Sequence, residues 1–189
     1  EIDLENIINT VNIPVNLEIA ASTEMIEIAT RYNPKFVCIV PENRKEITTE
    51  GGLNLKTNHN NLKKIISKFK KKKIRTSLFI NPSLEDIKIS KLLGTECVEI
   101  HTGRLANLVK SKKKYSKELN KIRKCSVLAH KYGIEVHAGH GLDYKSTKLL
   151  LSIRQIKEFN IGHFIIGESI FHGLKNVITS FKKILKKRK

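Results

Sequence analysis

Short apolar runs alternate along this chain with longer segments in which apolar residues recur every three or four positions. Six of the runs have the length and composition of β-strands, and their starts lie roughly one strand-plus-helix unit apart. They cover residues 15–20, 36–40, 74–80, 97–101, 133–138 and 156–161. Several are almost entirely apolar, which is typical of parallel strands that are covered on both faces. We therefore predict one α/β domain over residues 1–189, without an internal linker.

The segments between these runs carry helix signals. Ser83 stands three residues before Asp86, an arrangement that caps a helix N-terminus, and Gly94 has the position of a glycine that ends a helix. Apolar residues also keep helical spacing within 4–11, 119–129 and 170–185. The predicted order is thus strand and helix in alternation.

The pattern alone leaves two points open. Six strands joined by helices can form an open doubly wound sheet or part of a barrel. Residues 164–167 have the composition of a strand. If 156–161 is the last strand, however, residues 163–172 form a short helix instead. Periodicity over so few residues does not separate these alternatives.

The chain is strongly basic, with 36 Lys and Arg against 18 Asp and Glu and a formal net charge of +18. Much of the excess lies in residues 63–73 and 182–189. Nucleic-acid binding is one interpretation, but the cations are mainly lysines and no aromatic residues alternate with them as stacking platforms. We favour solvated lysine faces over a nucleic-acid partner. Such a surface would attract small phosphorylated substrates.

Cysteine content and hydropathy narrow the class of protein further. Cys38, Cys97 and Cys125 show no CxxC spacing, which argues against a redox motif or a zinc site. We expect buried, reduced thiols in a cytoplasmic protein. No apolar run is long enough to cross a bilayer, so we expect no membrane partner.

Polar residues recur where the predicted strands end. Because the carboxyl ends of parallel strands meet on one side of a barrel or open sheet, these side chains should form one site. Carboxylates and imidazoles from several strands are the groups that acid–base catalysis needs. The residues are Glu18, Glu42, Asn81, Glu99, His101, Thr102, His137, His140, Gly141, Gly162 and His163.

Three of these residues could have either a structural or a functional role. Glu18 lies between Leu17 and Ile19, where burial of its charge would be costly, so it either has a function or pairs with a lysine. His137 is equally compatible with a core position and with a site. His140 lies between two glycines, which let a ligand approach the backbone and leave the imidazole accessible, so we favour a functional role.

One further loop could bind a substrate, and several common catalytic motifs are absent from the sequence. Residues 48–52, Thr-Thr-Glu-Gly-Gly, follow a strand and either wrap a polyol or phosphate or form a flexible turn. No spacing of His, Asp and Glu suggests a metal site. No Ser-His-Asp arrangement or Gly-Lys-Ser/Thr phosphate loop is present.

Six segments together resemble the pyridoxine 5′-phosphate synthase family in order and spacing over the whole chain. They are VNLEIA at 15–20, VPENRKEITTEGGL at 40–53, SLFI at 77–80, EIHTG at 99–103, HAGHGL at 137–142 and NIGHFIIG at 160–167. The resemblance implies a (β/α)8 TIM barrel from which the first two β/α units are missing, leaving six strands. It also favours a short helix at 163–172 whose N-terminus binds a phosphate.

The resemblance further implies a transferase of vitamin B6 biosynthesis. The family condenses 3-amino-2-oxopropyl phosphate with 1-deoxy-D-xylulose 5-phosphate to pyridoxine 5′-phosphate, phosphate and water, by acid–base catalysis without a metal or organic cofactor. By motif, Glu18 corresponds to a proton acceptor and His140 to a proton donor. Thr48, Gly141, Gly162 and His163 correspond to substrate-binding residues, and Glu99, His101 and His137 either contact substrate or support residues that do.

The resemblance also implies a location and an assembly, and two other functions remain as alternatives. The family is cytoplasmic and forms a homo-octamer. Another phosphate-handling barrel, an isomerase or aldolase, is the alternative enzyme. An inactive truncated remnant that binds phosphates or nucleic acid is the alternative without activity. We expect open strand edges to leave the chain marginally stable or prone to aggregation.

Overall fold

The computed structural model of the chain describes residues 1–42 and 51–187. Six parallel strands form one sheet: β1 (Asn16–Ala20), β2 (Phe36–Val40), β3 (Arg75–Ile80), β4 (Cys97–His101), β5 (Glu135–Gly139) and β6 (Ile156–Asn160). The helices are α1 (Ile2–Thr10), α2 (Thr23–Tyr32), α3 (His59–Lys71), α4 (Leu84–Leu93), α5 (Gly103–Lys110), α6 (Ser116–Lys131), α7 (Tyr144–Leu150), α8 (His163–His172) and α9 (Leu174–Lys186). The predicted alternation is confirmed, and each strand boundary lies within two residues of its predicted position.

The strand order distinguishes a barrel from a doubly wound sheet. The strands follow one another in chain order from β1 to β6, whereas a doubly wound sheet reverses direction once. Right-handed crossovers that always advance in one direction place the helices on one face and leave the other face as a barrel interior. The partial TIM barrel is thereby confirmed. Within the described ranges β1 and β6 each pair with one neighbour, so the barrel is not closed.

Alternate residues of each strand face the two sides of the sheet. In β4, Val98 and Ile100 are fully buried in the large core beneath the helices. Cys97, Glu99 and His101 point the other way, into the barrel interior. The strand therefore supplies apolar residues to the core and polar residues to the interior, where a site can form.

Helix boundaries follow the predicted caps. The Ser83 hydroxyl accepts a hydrogen bond from the Asp86 backbone N–H at 3.3 Å, and Gly94 ends α4 with φ of 76°. Residues 163–172 form helix α8, so the strand alternative for 164–167 is wrong. Gly173 interrupts the helical spacing predicted for 170–185, since α9 begins just after it.

The lysine-rich segments form exposed helix faces, as predicted. Helix α3 buries Leu62, Ile65, Ile66 and Phe69, while its lysines are exposed. All three cysteines are buried and unbonded, as predicted. Across the described ranges, no helix combines the length and apolar character that a membrane span requires.

Candidate active site

Two histidines meet at the carboxyl ends of β4 and β5. The ring of His101, the last residue of β4, lies 4.8 Å from the ring of His140, just after β5. Phe79 in β3 packs edge-on against His101, with ring centres 5.4 Å apart. His140 is exposed, as its flanking glycines led us to expect, whereas His101 is only 8% exposed. One imidazole is thus accessible to a ligand and the other supports it from within the barrel.

The backbone that carries His140 is held by β4. The Thr102 backbone N–H donates to the Gly139 carbonyl oxygen at 2.8 Å. The Thr102 hydroxyl lies 2.7 Å from that same oxygen and 2.8 Å from the His140 carbonyl oxygen. His140 and Gly141 both have positive φ, 76° and 73°. A histidine in this region is uncommon, and such residues are frequent at functional sites.

Two glycines provide room for the polar side chains. A Cβ atom at Gly103, the first residue of α5, would lie 2.8 Å from both His101 Nε2 and His140 Cδ2. A Cβ atom at Gly139 would collide with Glu99 Oε1. Both positions therefore need glycine so that the histidines and the carboxylate can approach the backbone.

Glu99 is a buried carboxyl group, 3% exposed, in the middle of β4. The Asn160 side-chain amide donates to Glu99 Oε2 at 2.6 Å, and Cys38 Sγ lies 3.5 Å from the same oxygen. Burial raises the pKa of Glu99 to about 7; the Asn160 hydrogen bond opposes this shift, and the charge of Glu18 adds to it. A carboxyl group with this pKa can take and give a proton near neutral pH.

The pKa of His101 is shifted downward, opposite to that of Glu99. Burial lowers its pKa to about 4, and neighbouring His140 contributes to the shift. His101 Nε2 is buried without a hydrogen-bond partner among the described residues. The ring is therefore neutral at physiological pH, and Nε2 is an unsatisfied polar atom buried beside the exposed His140 ring.

The side chain of Glu18 is not buried, although its apolar neighbours suggested burial. Its side chain is exposed, because β1 lies at an edge of the open sheet and the interior there is accessible to solvent. It belongs to the same alternating set as Asn16 and Ala20, which faces the interior. Its effect on the pKa of Glu99 shows that the two carboxylates interact electrostatically.

The predicted phosphate-binding residues lie at loop and helix starts. Gly162 is the N-cap of α8, and His163 is its first residue; both are exposed. Gly141 lies against the start of α5, since a Cβ atom there would be 3.3 Å from Gly103 Cα. Backbone N–H groups at a helix start favour a phosphate.

Thr48 lies outside the described residues, as does most of the loop at 48–52. Its last two glycines are described. The Gly52 backbone N–H donates to Asn81 Oδ1 at 3.0 Å, just beyond the end of β3. A Cβ atom at Gly52 would collide with the Ile80 backbone. Gly52 therefore lies at the carboxyl end of β3.

His137 belongs to a different group. His137 Nε2 lies 2.9 Å from Glu135 Oε1, and the Cys97 thiol is close to both, near the amino ends of the strands. The spacing of residues along the chain did not reveal this Cys-Glu-His group, because its members come from two strands. It also did not predict that Asn160 binds Glu99 or that Thr102 binds the loop after β5. Both residues do lie within the family-like segments NIGH and EIHTG, which was the only indication in the sequence of their roles.

Comparisons with known proteins identify close relatives. Residues 1–187 match the family described as "Pyridoxal phosphate biosynthesis protein PdxJ". A pyridoxine 5′-phosphate synthase from Pelagibacter ubique is 60% identical over 185 residues, covering 98% of this chain and 77% of the relative. The enzyme of the same name from Zymomonas mobilis is 43% identical, covering 97% of this chain and 71% of the relative.

Solved structures with low sequence identity share the fold. A xylose isomerase domain protein from Planctomyces limnophilus aligns with a TM-score of 0.57 at 12% identity, covering 92% of this chain and 70% of that one. Citrate synthase SbnG aligns with a TM-score of 0.54 at 12% identity, covering 98% of this chain and 78% of that one. At this identity the similarity concerns architecture alone.

Proposed function

Because this chain belongs to the PdxJ family of pyridoxal phosphate biosynthesis proteins, whose matched members are pyridoxine 5′-phosphate synthases, we propose that it catalyses the reaction implied by its motifs. It condenses 3-amino-2-oxopropyl phosphate with 1-deoxy-D-xylulose 5-phosphate, releasing pyridoxine 5′-phosphate, phosphate and water. The family assignment makes it a biosynthetic enzyme of the transferase type.

The observation that carries this function is the set of acid–base groups on the barrel interior. Imine formation, elimination and ring closure each require a proton to be taken from one atom and given to another. Glu18, Glu99, His101 and His140 reach the interior or its rim from β1, β4 and the end of β5. Burial raises the pKa of Glu99 to about 7 and lowers that of His101 to about 4, and such opposite shifts let one site contain both an acid and a base.

We assign the proton acceptor to Glu18 and the proton donor to His140. Glu18 is exposed to the interior and can receive protons from a bound intermediate. His140 is exposed just beyond β5; the Thr102 hydroxyl contacts its carbonyl oxygen, and its backbone has a positive φ. Glu99 and His101 are more deeply buried: the charge of Glu18 acts on Glu99, and the His101 ring lies 4.8 Å from the ring of His140.

The substrates' phosphates bind to backbone N–H groups and hydroxyls at the same end of the barrel. Gly162 and His163 bind one phosphate at the start of α8, with Gly141 contributing from the β5 loop. Thr48 contacts the deoxyxylulose phosphate. The high net positive charge of the chain attracts both substrates. We further propose a cytoplasmic homo-oligomer that needs no resident metal or organic cofactor for the reaction.

Formation of pyridoxine 5′-phosphate by Glu18→Gln and His140→Asn variants tests the proposal. The assay uses the 189-residue chain alone and joined to the part of the Pelagibacter relative that the match does not cover. Each variant should lose about 10²- to 10⁴-fold in turnover with little change in melting temperature. Glu24→Gln and His130→Asn, both at exposed positions, are matched controls. Absence of product from both forms, or near-wild-type turnover in both variants, would refute the assignment.

A further inference from the structure

A second polar cluster lies near the amino ends of β4 and β5, away from the histidine pair at their carboxyl ends. One ligand-type atom each from Cys97, Glu135 and His137 lies within 4.8 Å of the others. Cys97 is 1% exposed and His137 is 6% exposed, whereas Glu135 reaches the surface. Two ligand atoms on a tetrahedral zinc ion lie about 3.3–3.6 Å apart, so on binding the most separated atoms of this group would move together by about 1 Å.

The imidazole of His137 lies between two carboxylates. Its Nε2 is 2.9 Å from Glu135 Oε1, while its Nδ1 is 3.5 Å from Glu158 Oε1. Nδ1 is buried and makes no hydrogen bond within the described ranges. A metal-bound histidine commonly has a carboxylate beside its second nitrogen, which orients the ring. Glu158 has that position when Nε2 faces the cluster.

A small cavity adjoins the cluster. Its volume is about 20 Å³, and Cys97, His137, Glu158, Ser77 and Asn16 are among its lining residues. This is close to the space that one water molecule or one ion requires. Asn16 Oδ1 is buried without a hydrogen-bond partner among the described residues. A bound water on the ion would supply that missing hydrogen bond.

The charges match a divalent ion. Arg75 Nη2 lies 3.0 Å from Glu135 Oε1, so Arg75 offsets one of the two carboxylates, Glu135 and Glu158. Burial raises the pKa of Cys97 to about 12, so the thiol is neutral without an ion and the group carries one negative charge in excess. Once a bound ion displaces the thiol proton, the excess is two negative charges. One divalent cation neutralises them. On binding, the Cys97 thiol proton passes to solvent and no electron is transferred.

We propose that Cys97, Glu135 and His137 form a binding site for a divalent cation of the zinc type at the amino end of the barrel. One thiolate, one imidazole and one carboxylate are the ligands that zinc prefers, and water completes a tetrahedron. The ion links β4 to β5, and Glu158 orients His137 from β6. The site stabilises the open sheet and is independent of the proposed reaction.

Cobalt(II) titration of the full chain tests this site, because Co²⁺ replaces Zn²⁺ and is visible by absorption. One equivalent should produce a thiolate-to-cobalt charge-transfer band and the intense visible bands of a tetrahedral ion, and Zn²⁺ should abolish both. Cys97→Ala should lose the charge-transfer band. Cys125→Ala, which removes another buried thiol in α6, should keep it. Glu158→Gln should weaken binding by about 10- to 100-fold, as expected for a residue that orients a ligand.

Stability gives an independent measurement if Cys97→Ala folds poorly. One equivalent of Zn²⁺ should raise the melting temperature of the wild-type chain, because the ion binds only the folded state. Arg75→Gln should bind Co²⁺ more tightly, since a neighbouring positive charge is removed. A weak octahedral Co²⁺ spectrum without a thiolate band, or a wild-type melting temperature unaffected by Zn²⁺, would overturn the proposal. Either result would leave His137 as a charge partner of its carboxylates.

Discussion

The Thr102 hydroxyl lies 2.8 Å from the carbonyl oxygen of His140 and 2.7 Å from that of Gly139. One residue at the end of β4 therefore holds two successive peptide units at the end of β5. The same residue donates its backbone N–H to Gly139, so both its main chain and its side chain bind this loop. We expect this contact to help position the His140 imidazole.

Thr102→Val should lower turnover through the position of His140. Valine keeps the shape of threonine but loses the hydroxyl hydrogen bond, at a cost of about 0.5–1.5 kcal/mol. The Gly139 carbonyl oxygen still accepts from the backbone N–H of residue 102, so the His140 carbonyl oxygen loses the contact. We expect turnover to fall while substrate affinity changes less, and Thr102→Ser should restore most of the loss. Steady-state kinetics with melting curves would measure this. Equal turnover in Thr102→Val and wild type would show that the hydroxyl does not position His140.

Gly139→Ala should displace the Glu99 carboxylate. The added Cβ atom would collide with Glu99 Oε1, and separation from Asn160 would break their 2.6 Å hydrogen bond. Overpacking of this kind costs about 1–3 kcal/mol. Chemical denaturation should detect this loss, and the product assay should show reduced activity.

Gly167→Ala is the matched control for that change. It lies in α8, where a Cβ atom meets nothing within 4 Å. Alanine favours a helix more than glycine does, so stability should be unchanged or slightly higher. Equal destabilisation by both alanine variants would contradict the predicted collision with Glu99.

Acid should destabilise the fold partly through His101. Its pKa is about 4 in the folded chain and near 6.5 when exposed, so the unfolded state binds the proton first as pH falls. Stability is lost as pH falls from about 6.5 to about 4, by on the order of 3 kcal/mol from this group. The raised pKa of Glu99 acts in the opposite direction below about 7. Measuring the contribution of His101 to acid sensitivity therefore requires a variant that removes this histidine and keeps Glu99.

His101→Gln should show a smaller loss of stability than wild type between pH 6.5 and pH 4. Urea unfolding at several pH values would give the difference at each point. His130→Gln removes an exposed histidine on α6 and should follow the wild-type curve. Parallel curves for wild type and His101→Gln would contradict a neutral, buried His101.

Inorganic phosphate should bind at the start of α8. A crystal soaked in phosphate should show an anion near Gly162, His163 and Gly141, and His163→Ala should weaken phosphate binding several-fold by calorimetry. His172→Ala, at the other end of the same helix, should bind as wild type does. An ordered anion seen only beside the lysines of α3 would remove support for this site.

Local sequence determined much of this architecture. The pattern of apolar runs predicted all six strands within two residues, and Ser83 and Gly94 predicted the ends of α4, because these signals act over a few neighbouring residues. The placement of His101 and His140 at the carboxyl ends of neighbouring strands also followed from sequence. In a parallel fold, strand ends meet on one side whatever the register.

Tertiary structure decided the features that depend on distant residues. The exposure of Glu18 depends on β1 being an edge strand, which its apolar neighbours do not reveal. Register pairs Cys97 with Glu135, and so brings the Cys-Glu-His group together across two strands. Burial within the assembled sheet raises the pKa of Glu99. The environment of a side chain is set by packing between segments far apart in the chain. Local periodicity indicates which face a residue occupies, but only the assembled sheet determines its partners and its access to water.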